Sequence, residues 1–209
     1  MTGAVLLADD HPLFRQALAL ALAVRQVLPG AKIIESGTLA VAARAVQDHA
    51  DLQLVLLDLK MPGAVGYSGI ALLHAERPDL PILVVSSAEG AAAAAEARAF
   101  GAIGFLRKDS DLATIETAIL HATNAHAQPV SSTGPMDDVR SEVANLTPMQ
   151  LKVLLAVLDG QLNKQIAFAL SISEATVKAH MTAIMRKLDV SNRTQAALVA
   201  RSLGLDLTH

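Results

Sequence analysis

LVLLDLKMPG, residues 54–63, decides the fold: an apolar run drives into Asp58, and Lys60 then leads into a Met61-Pro62-Gly63 break. A strand this apolar, read over Leu52–Leu57, is buried on both faces, which is how a parallel sheet covered by helices reads. Val5–Ala8, Lys32–Glu35, Ile82–Val85 and Gly104–Leu106 also read as strands. Between and after them, helical spacing runs over Leu13–Val27, Leu39–His49, Ile70–Glu76, Ala91–Phe100 and Leu112–Ala122. Five βα units predict a doubly wound α/β domain over residues 1–122, with a five-stranded parallel sheet. Ligands bind such sheets outside the carboxyl ends of the strands.

Those ends carry the polar chemistry. The first strand runs into Asp9-Asp10, the third into Asp58, the fourth into Ser86-Ser87 and the fifth into Lys108. A lone aspartate at a strand end is usually a turn or cap former, and a lone lysine or serine a solvated surface group. All four in this strand order are a different matter, because a parallel sheet brings them to one edge. Three crowded carboxylates need a cation, and hard oxygen ligands with room for water and phosphate suit Mg²⁺. A carboxylate can attack phosphorus to give an acyl phosphate. Metal and lysine would neutralise charge on the transferring group.

LLADDHPLFRQAL, LVLLDLKMPG, ILVVSSAEG and GAIGFLRKD resemble the signature segments of bacterial two-component receiver domains, and DDHP resembles the NarL/FixJ class. The resemblance covers residues 1–122 and implies a flavodoxin-like fold. It implies that Asp58 is the phosphoacceptor and that Asp9 and Asp10 form the acidic pocket. Asp10, Asp58 and the backbone carbonyl of Lys60 would hold Mg²⁺, and Lys108 would contact the phosphate. Phe105 would be the rotating aromatic, here without the hydroxyl of a tyrosine. Counting along the chain places the switch hydroxyl at Ser86, with Ser87 as the alternative. Receivers usually place an acidic-Gly pair soon after Met-Pro, whereas MPGAVGYSGI is longer by about two residues.

The stretch 123–145, rich in Ser, Thr, Pro, Gly and Asp, reads as a linker. Thr147-Pro148 then opens a helix. Helical patterns over 148–158, 163–170, 174–188 and 194–203, separated by short polar breaks, predict a small all-α helix-turn-helix domain over 146–209. Residues 1–145 carry net −6, while 146–209 carry 7 Lys/Arg against 4 Asp/Glu, net +3. The basic half is therefore the candidate for nucleic acid. Ser173 would cap the helix over 174–188, with Val177, Ile184, Met185 and Leu188 toward the core. Its start exposes Thr176, Lys178, Ala179 and Thr182 to a major groove, and Lys164, Arg186, Lys187 and Arg193 would hold phosphates. Spacing alone leaves open an ordinary amphipathic domain with a charged face. NKQIA, ISEATVKAH and KLDVSNRTQA resemble the LuxR-type output domain, and the likeness runs over 146–203. It implies a four-helix domain that binds promoter DNA as a homodimer, with the last helix at the partner contact and Lys178, Ala179 and Thr182 at the reading positions. His180 reads as a packing or phosphate-contacting residue rather than a metal ligand.

Hydrophobic residues make up 52% of the 209 and aromatics 2%. The absence of cysteine excludes disulfides and thiolate zinc sites. MTGAVLLADD lacks a basic n-region, and no uncharged apolar run nears the ~20 residues of a membrane span, so a soluble cytoplasmic chain is expected. An aspartyl-phosphate hydrolase would carry its nucleophile after the first strand, and DDHP is not the glycine-rich turn of a dinucleotide enzyme. A LuxR-type sensor of small molecules would want an aromatic-lined cavity in its front half. The sequence thus predicts a non-enzymatic transcription factor. Its partners would be a sensor histidine kinase or small phosphodonor, double-stranded DNA and, as a further candidate, RNA polymerase.

Overall fold

The computed structural model describes residues 3–24, 28–87, 91–124 and 146–206. Most of the expected linker, 125–145, and the expected end of the first helix at 25–27 lie outside the described residues. The front half alternates β1 (Ala4–Ala8), α1 (Pro12–Val24), β2 (Lys32–Ser36), α2 (Leu39–Asp48), β3 (Leu52–Leu57), β4 (Val65–Gly66), α3 (Ser68–Glu76), β5 (Ile82–Ser86), α4 (Ala91–Ala99), β6 (Gly104–Arg107) and α5 (Leu112–Asn124). The back half contains α6 (Pro148–Leu158), α7 (Asn163–Ala169), α8 (Glu174–Lys187), α9 (Arg193–Ser202) and β7 (Leu205–Asp206).

Five strands form one parallel sheet in the order β2-β1-β3-β5-β6. Successive side chains of a strand point to opposite faces, and here both faces are apolar. Ala4, Leu6, Ala8, Val55, Leu57, Ile82 and Val84 feed one cluster, under α2, α3 and α4. Val5, Leu7, Leu54, Leu56, Leu83 and Val85 feed the other, under α1 and α5. The chain runs outward from β1 in both directions, to β2 on one side and β3 on the other. The switch point therefore lies between the carboxyl ends of β1 and β3, where Asp9 and Asp58 follow.

Three of the output helices, α6, α8 and α9, have a visible local cause. Thr147 and Gln150 form a reciprocal capping box before α6: the Gln150 amide donates to Thr147 Oγ1 and the Thr147 amide to Gln150 Oε1. Ser173 Oγ accepts from the Thr176 amide at the start of α8, and Asn192 Oδ1 from the Gln195 amide at the start of α9. Val177, Met181, Ile184 and Leu188 form the buried stripe of α8. Met185, expected in the core, packs at its margin, and Met181 is the methionine inside.

Two short strands lie outside the expected pattern. β4, in the lengthened loop after Met61-Pro62, pairs antiparallel with β7 beyond the last helix. The apolar cluster under α2, α3 and α4 continues into α6 and its neighbours, so one core spans both halves.

Replacing Ile119, fully buried between α5 and the sheet, by alanine should cost about 2–5 kcal/mol. Urea denaturation checks this: the unfolding midpoint should move to lower urea.

Candidate functional site

Asp9 and Asp58 stand at the ends of adjacent strands with side chains nearly out of solvent. Lys108, one residue past β6, reaches across both. Its Nζ lies 2.7 Å from Asp9 Oδ2 and 2.8 Å from Asp58 Oδ2. The Lys60 amide donates to Asp58 Oδ1 at 3.2 Å, so each oxygen of that carboxylate has a donor. Asp10 is exposed at the mouth of the pocket. Ser86 ends β5 fully buried and Ser87 is exposed. Phe105, on β6, is half-buried and packs against the same cluster as Val84.

Three residues of this pocket were not singled out from sequence. The His11 amide donates to Asp9 Oδ1 at 2.8 Å, and its ring Nδ1 stands 2.6 Å from Asp10 Oδ1. Arg15 donates to the Asp9 carbonyl and to Glu35 Oε2, and the Phe14 ring lies 5.0 Å below the Lys108 ammonium. All three fall within the first turn and a half after Asp10, where spacing alone suggests only an amphipathic helix.

Ligand atoms of Asp9, Asp10, His11 and Asp58 lie within 4.8 Å of one another. Asp9 Oδ2 is buried and accepts no well-aligned hydrogen bond, and the Lys108 ammonium stands 2.7 Å from it. A buried, under-satisfied carboxylate oxygen beside two further carboxylates suits a hard divalent cation. Burial by itself would lower the pKa of Lys108. Hydrogen bonds and attraction to Asp58 and Asp9 outweigh it and hold the ammonium above its ordinary value.

In the back half, Lys178, Ala179, Thr182 and Arg186 share the exposed side of α8, opposite its buried stripe. Thr176 belongs to the cap, its Oγ1 2.8 Å from Ser173 Oγ. Lys164 is exposed on α7, and His180 is half-buried. Two of the basic residues expected at phosphates are engaged internally. Lys187 donates to Gln150 Oε1 at 2.9 Å. Arg193 donates to Asn163 Oδ1 and to the Gln161 carbonyl, tying the start of α9 to the start of α7.

A doubly wound domain with an acidic, lysine-bridged switch point, followed by a helix-turn-helix domain, defines the two-component response regulators. The comparisons agree. Residues 5–120 match the response regulator receiver domain, and residues 144–200 the luxR family of bacterial regulatory proteins. The chain is 38% identical to the glycerol metabolism activator of Pseudomonas putida over 94% of each chain. It is 30% identical to the nitrate/nitrite response regulator protein NarP of Escherichia coli over 93% of each. The solved structure of the response regulator StyR superposes with a TM-score of 0.51 at 25% identity, covering 97% of this chain and 100% of that one. The chain belongs to the NarL/FixJ class of response regulators, transcriptional regulators with a receiver and a LuxR-type DNA-binding domain.

The raised pKa of Lys108 sets a pH dependence. A cation favoured in the folded state stabilises fully below its unfolded pKa, here the ordinary 10.5, and that stability is lost as pH rises through the folded value. Alkaline denaturation of Lys108→Met should lack that loss, a difference that unfolding midpoints measured from pH 9 upward would reveal.

Proposed function

We propose that Asp58 is the phosphoacceptor through which a sensor histidine kinase, or a small donor such as acetyl phosphate, controls this regulator. The observation that carries the reading is Asp58 at the switch point, buried, with Lys108 2.8 Å from one carboxylate oxygen and Asp9 beside it. A carboxylate oxygen of Asp58 forms the new bond to phosphorus, the bond from phosphorus to the donor's leaving atom breaks, and the donor keeps that electron pair. Lys108 then moves its ammonium from the carboxylate to the transferred phosphoryl oxygens. Asp10, Asp58 and the Lys60 carbonyl would hold Mg²⁺, which when bound supplies positive charge to the phosphoryl group. Asp9 supports that set, and Arg15, bonded to the Asp9 carbonyl, orients it.

The phosphoryl group adds roughly −1.5 to −2 charge. Ser86 is assigned as the hydroxyl that follows it and Phe105 as the aromatic that repacks, by shape alone because it has no hydroxyl. The domain limits are assigned as 1–122 and 146–209, with 123–145 between them.

DNA is read by α8. Lys178, Ala179 and Thr182 face base edges and Thr176 supports the helix start, while Lys164 and Arg186 meet phosphates. Lys187 and Arg193, also assigned to the backbone, would contact it only alongside the internal bonds they already make. The regulator binds as a homodimer, acts in the cytoplasm, carries no enzymatic activity of its own, and has RNA polymerase as a further partner. Among the described residues, no helix is long and apolar enough to cross a membrane.

Incubation with acetyl phosphate and Mg²⁺ should add one phosphate by intact mass, absent in Asp58→Asn; label persisting in that variant would remove Asp58 from the role. Lys178→Ala should lose about 1–3 kcal/mol on a duplex selected from a random pool. Titration against a scrambled duplex completes the comparison, because equal losses on both would make Lys178 a backbone contact.

A further inference from the structure

We infer that Phe14 is a positioning residue for phosphoryl transfer: the face of its ring is the floor on which the Lys108 ammonium rests between Asp9 and Asp58, and from which that ammonium reaches a phosphoryl group on Asp58. The inference rests on Asp58 as phosphoacceptor and on Lys108 as the cation that meets the phosphate.

The first observation is how the ammonium is seated. Two carboxylates hold it, at 2.7 Å from Asp9 Oδ2 and 2.8 Å from Asp58 Oδ2. His11 Nδ1 stands 3.4 Å from it, and it lies over the Phe14 ring, 5.0 Å from the centroid. That separation is inside the ~6 Å over which a cation feels the quadrupole of a ring. The Lys108 side chain is only 16% exposed. Little water competes for the charge, which is the condition under which such contacts are strongest.

The second is that the ring is fixed from behind. Phe14 falls in the first turn of α1, half-buried against the apolar cluster that includes Leu7, Leu18, Leu56 and Val85. A cavity of about 10 Å³ is lined by Phe14 together with Asp9 and Asp58. A space of that size holds at most one water, so no solvent layer parts the ring from the carboxylates. A leucine in this place would be as apolar. An aromatic adds a face of negative charge, turned here toward the ammonium.

The third concerns what moves. The backbone of Lys108 is pinned, because its amide donates to the Ser86 carbonyl at 3.0 Å. Passage of the ammonium from the Asp58 carboxylate to phosphoryl oxygens is therefore a swing of the side chain from a fixed root. A further carboxylate beneath it would hold the lysine back, since charge-assisted bonds are the strong ones. A ring attracts the cation less, and keeps it over the pocket without competing with the phosphoryl group. As the charge of Asp58 goes into its new bond to phosphorus, that carboxylate loosens its hold on the lysine, and the ring does not. The ring contact thus counts for more during transfer than before it, which is what speeds a step.

Fluorination of the ring tests the inference, because fluorine drains negative charge from the face while nearly preserving the shape. Phe14 is replaced in the full chain by mono-, di- and trifluorophenylalanine, and Asp58 labelling by acetyl phosphate with Mg²⁺ is followed in time by intact mass. The rate should fall with each added fluorine. Phe14→Leu should end the series roughly tenfold below wild type, the scale of a desolvated contact between a cation and a ring. A spectroscopic signature accompanies it: the Lys108 ε-methylene protons, held over the ring, should resonate upfield in the wild-type chain and lose that shift in Phe14→Leu. A rate that stays flat or rises across the fluorinated series in a chain that is labelled at Asp58 would overturn the inference alone. So would a wild-type chain without the upfield shift. A wild-type chain that takes up no phosphate at Asp58 would instead end the functional reading, and the inference with it.

Discussion

Like charges a few ångströms apart inside a protein repel by several kcal/mol, about 4 kcal/mol at 4 Å for an effective dielectric near 20. Asp9 and Asp58 are held in that relation by the sheet, with Asp10 at the rim, and the Lys108 ammonium is placed between the two buried members. Much of the receiver answers to this arrangement. β1, β3 and β6 must end at one edge, which the successive parallel registers β1–β3, β3–β5 and β5–β6 enforce. Arg15 and the His11 amide must hold the Asp9 segment in place. Lys108 bridges only two of the three carboxylates, which fits a site that could take a divalent ion. On the proposed reading, a phosphoryl group on Asp58 would compete for the same lysine.

The pocket was readable because its parts are short-range signals placed in order: apolar runs that can only be buried strands, each ending in a distinctive polar residue. Parallel topology then did the rest, bringing Asp9, Asp58, Ser86 and Lys108 to one edge without any contact having to be guessed. His11 and Arg15 escaped because a helix start rich in polar groups looks the same whether it faces water or a carboxylate. β4 and β7 escaped for a different reason. Two residues have no periodicity, and the two paired strands lie far apart in the chain. The lengthened loop after Met61-Pro62 was visible as a departure, but its purpose depends on Gly204 and Leu205, which nothing local connects to it. Among the basic residues, composition reports charge and not engagement: Arg193 and Lys178 look alike in sequence, yet one is bonded to Asn163 and Gln161 and the other is exposed.

Because the two halves share a core, their stabilities are linked. A substitution in α6 reaches α3 through the shared apolar cluster, and a cavity under α3 weakens the seat of the output domain. This differs from modules joined only by a tether, where each unfolds on its own. The lysine-bridged pocket and the capped helices of the output domain thus belong to one cooperative structure, even though their chemistries are unrelated.

The aromatic poverty of the chain has an optical consequence. It contains no tryptophan and a single tyrosine, Tyr67, and that ring is stacked on Phe100 beside the β4–β7 pair. Every tyrosine photon emitted by the unmodified protein therefore originates at the seam between the halves. The near-ultraviolet circular dichroism of its phenol likewise reports a single environment. The molecule carries its own chromophore at the place where its two domains meet, and no label has to be attached to watch that place.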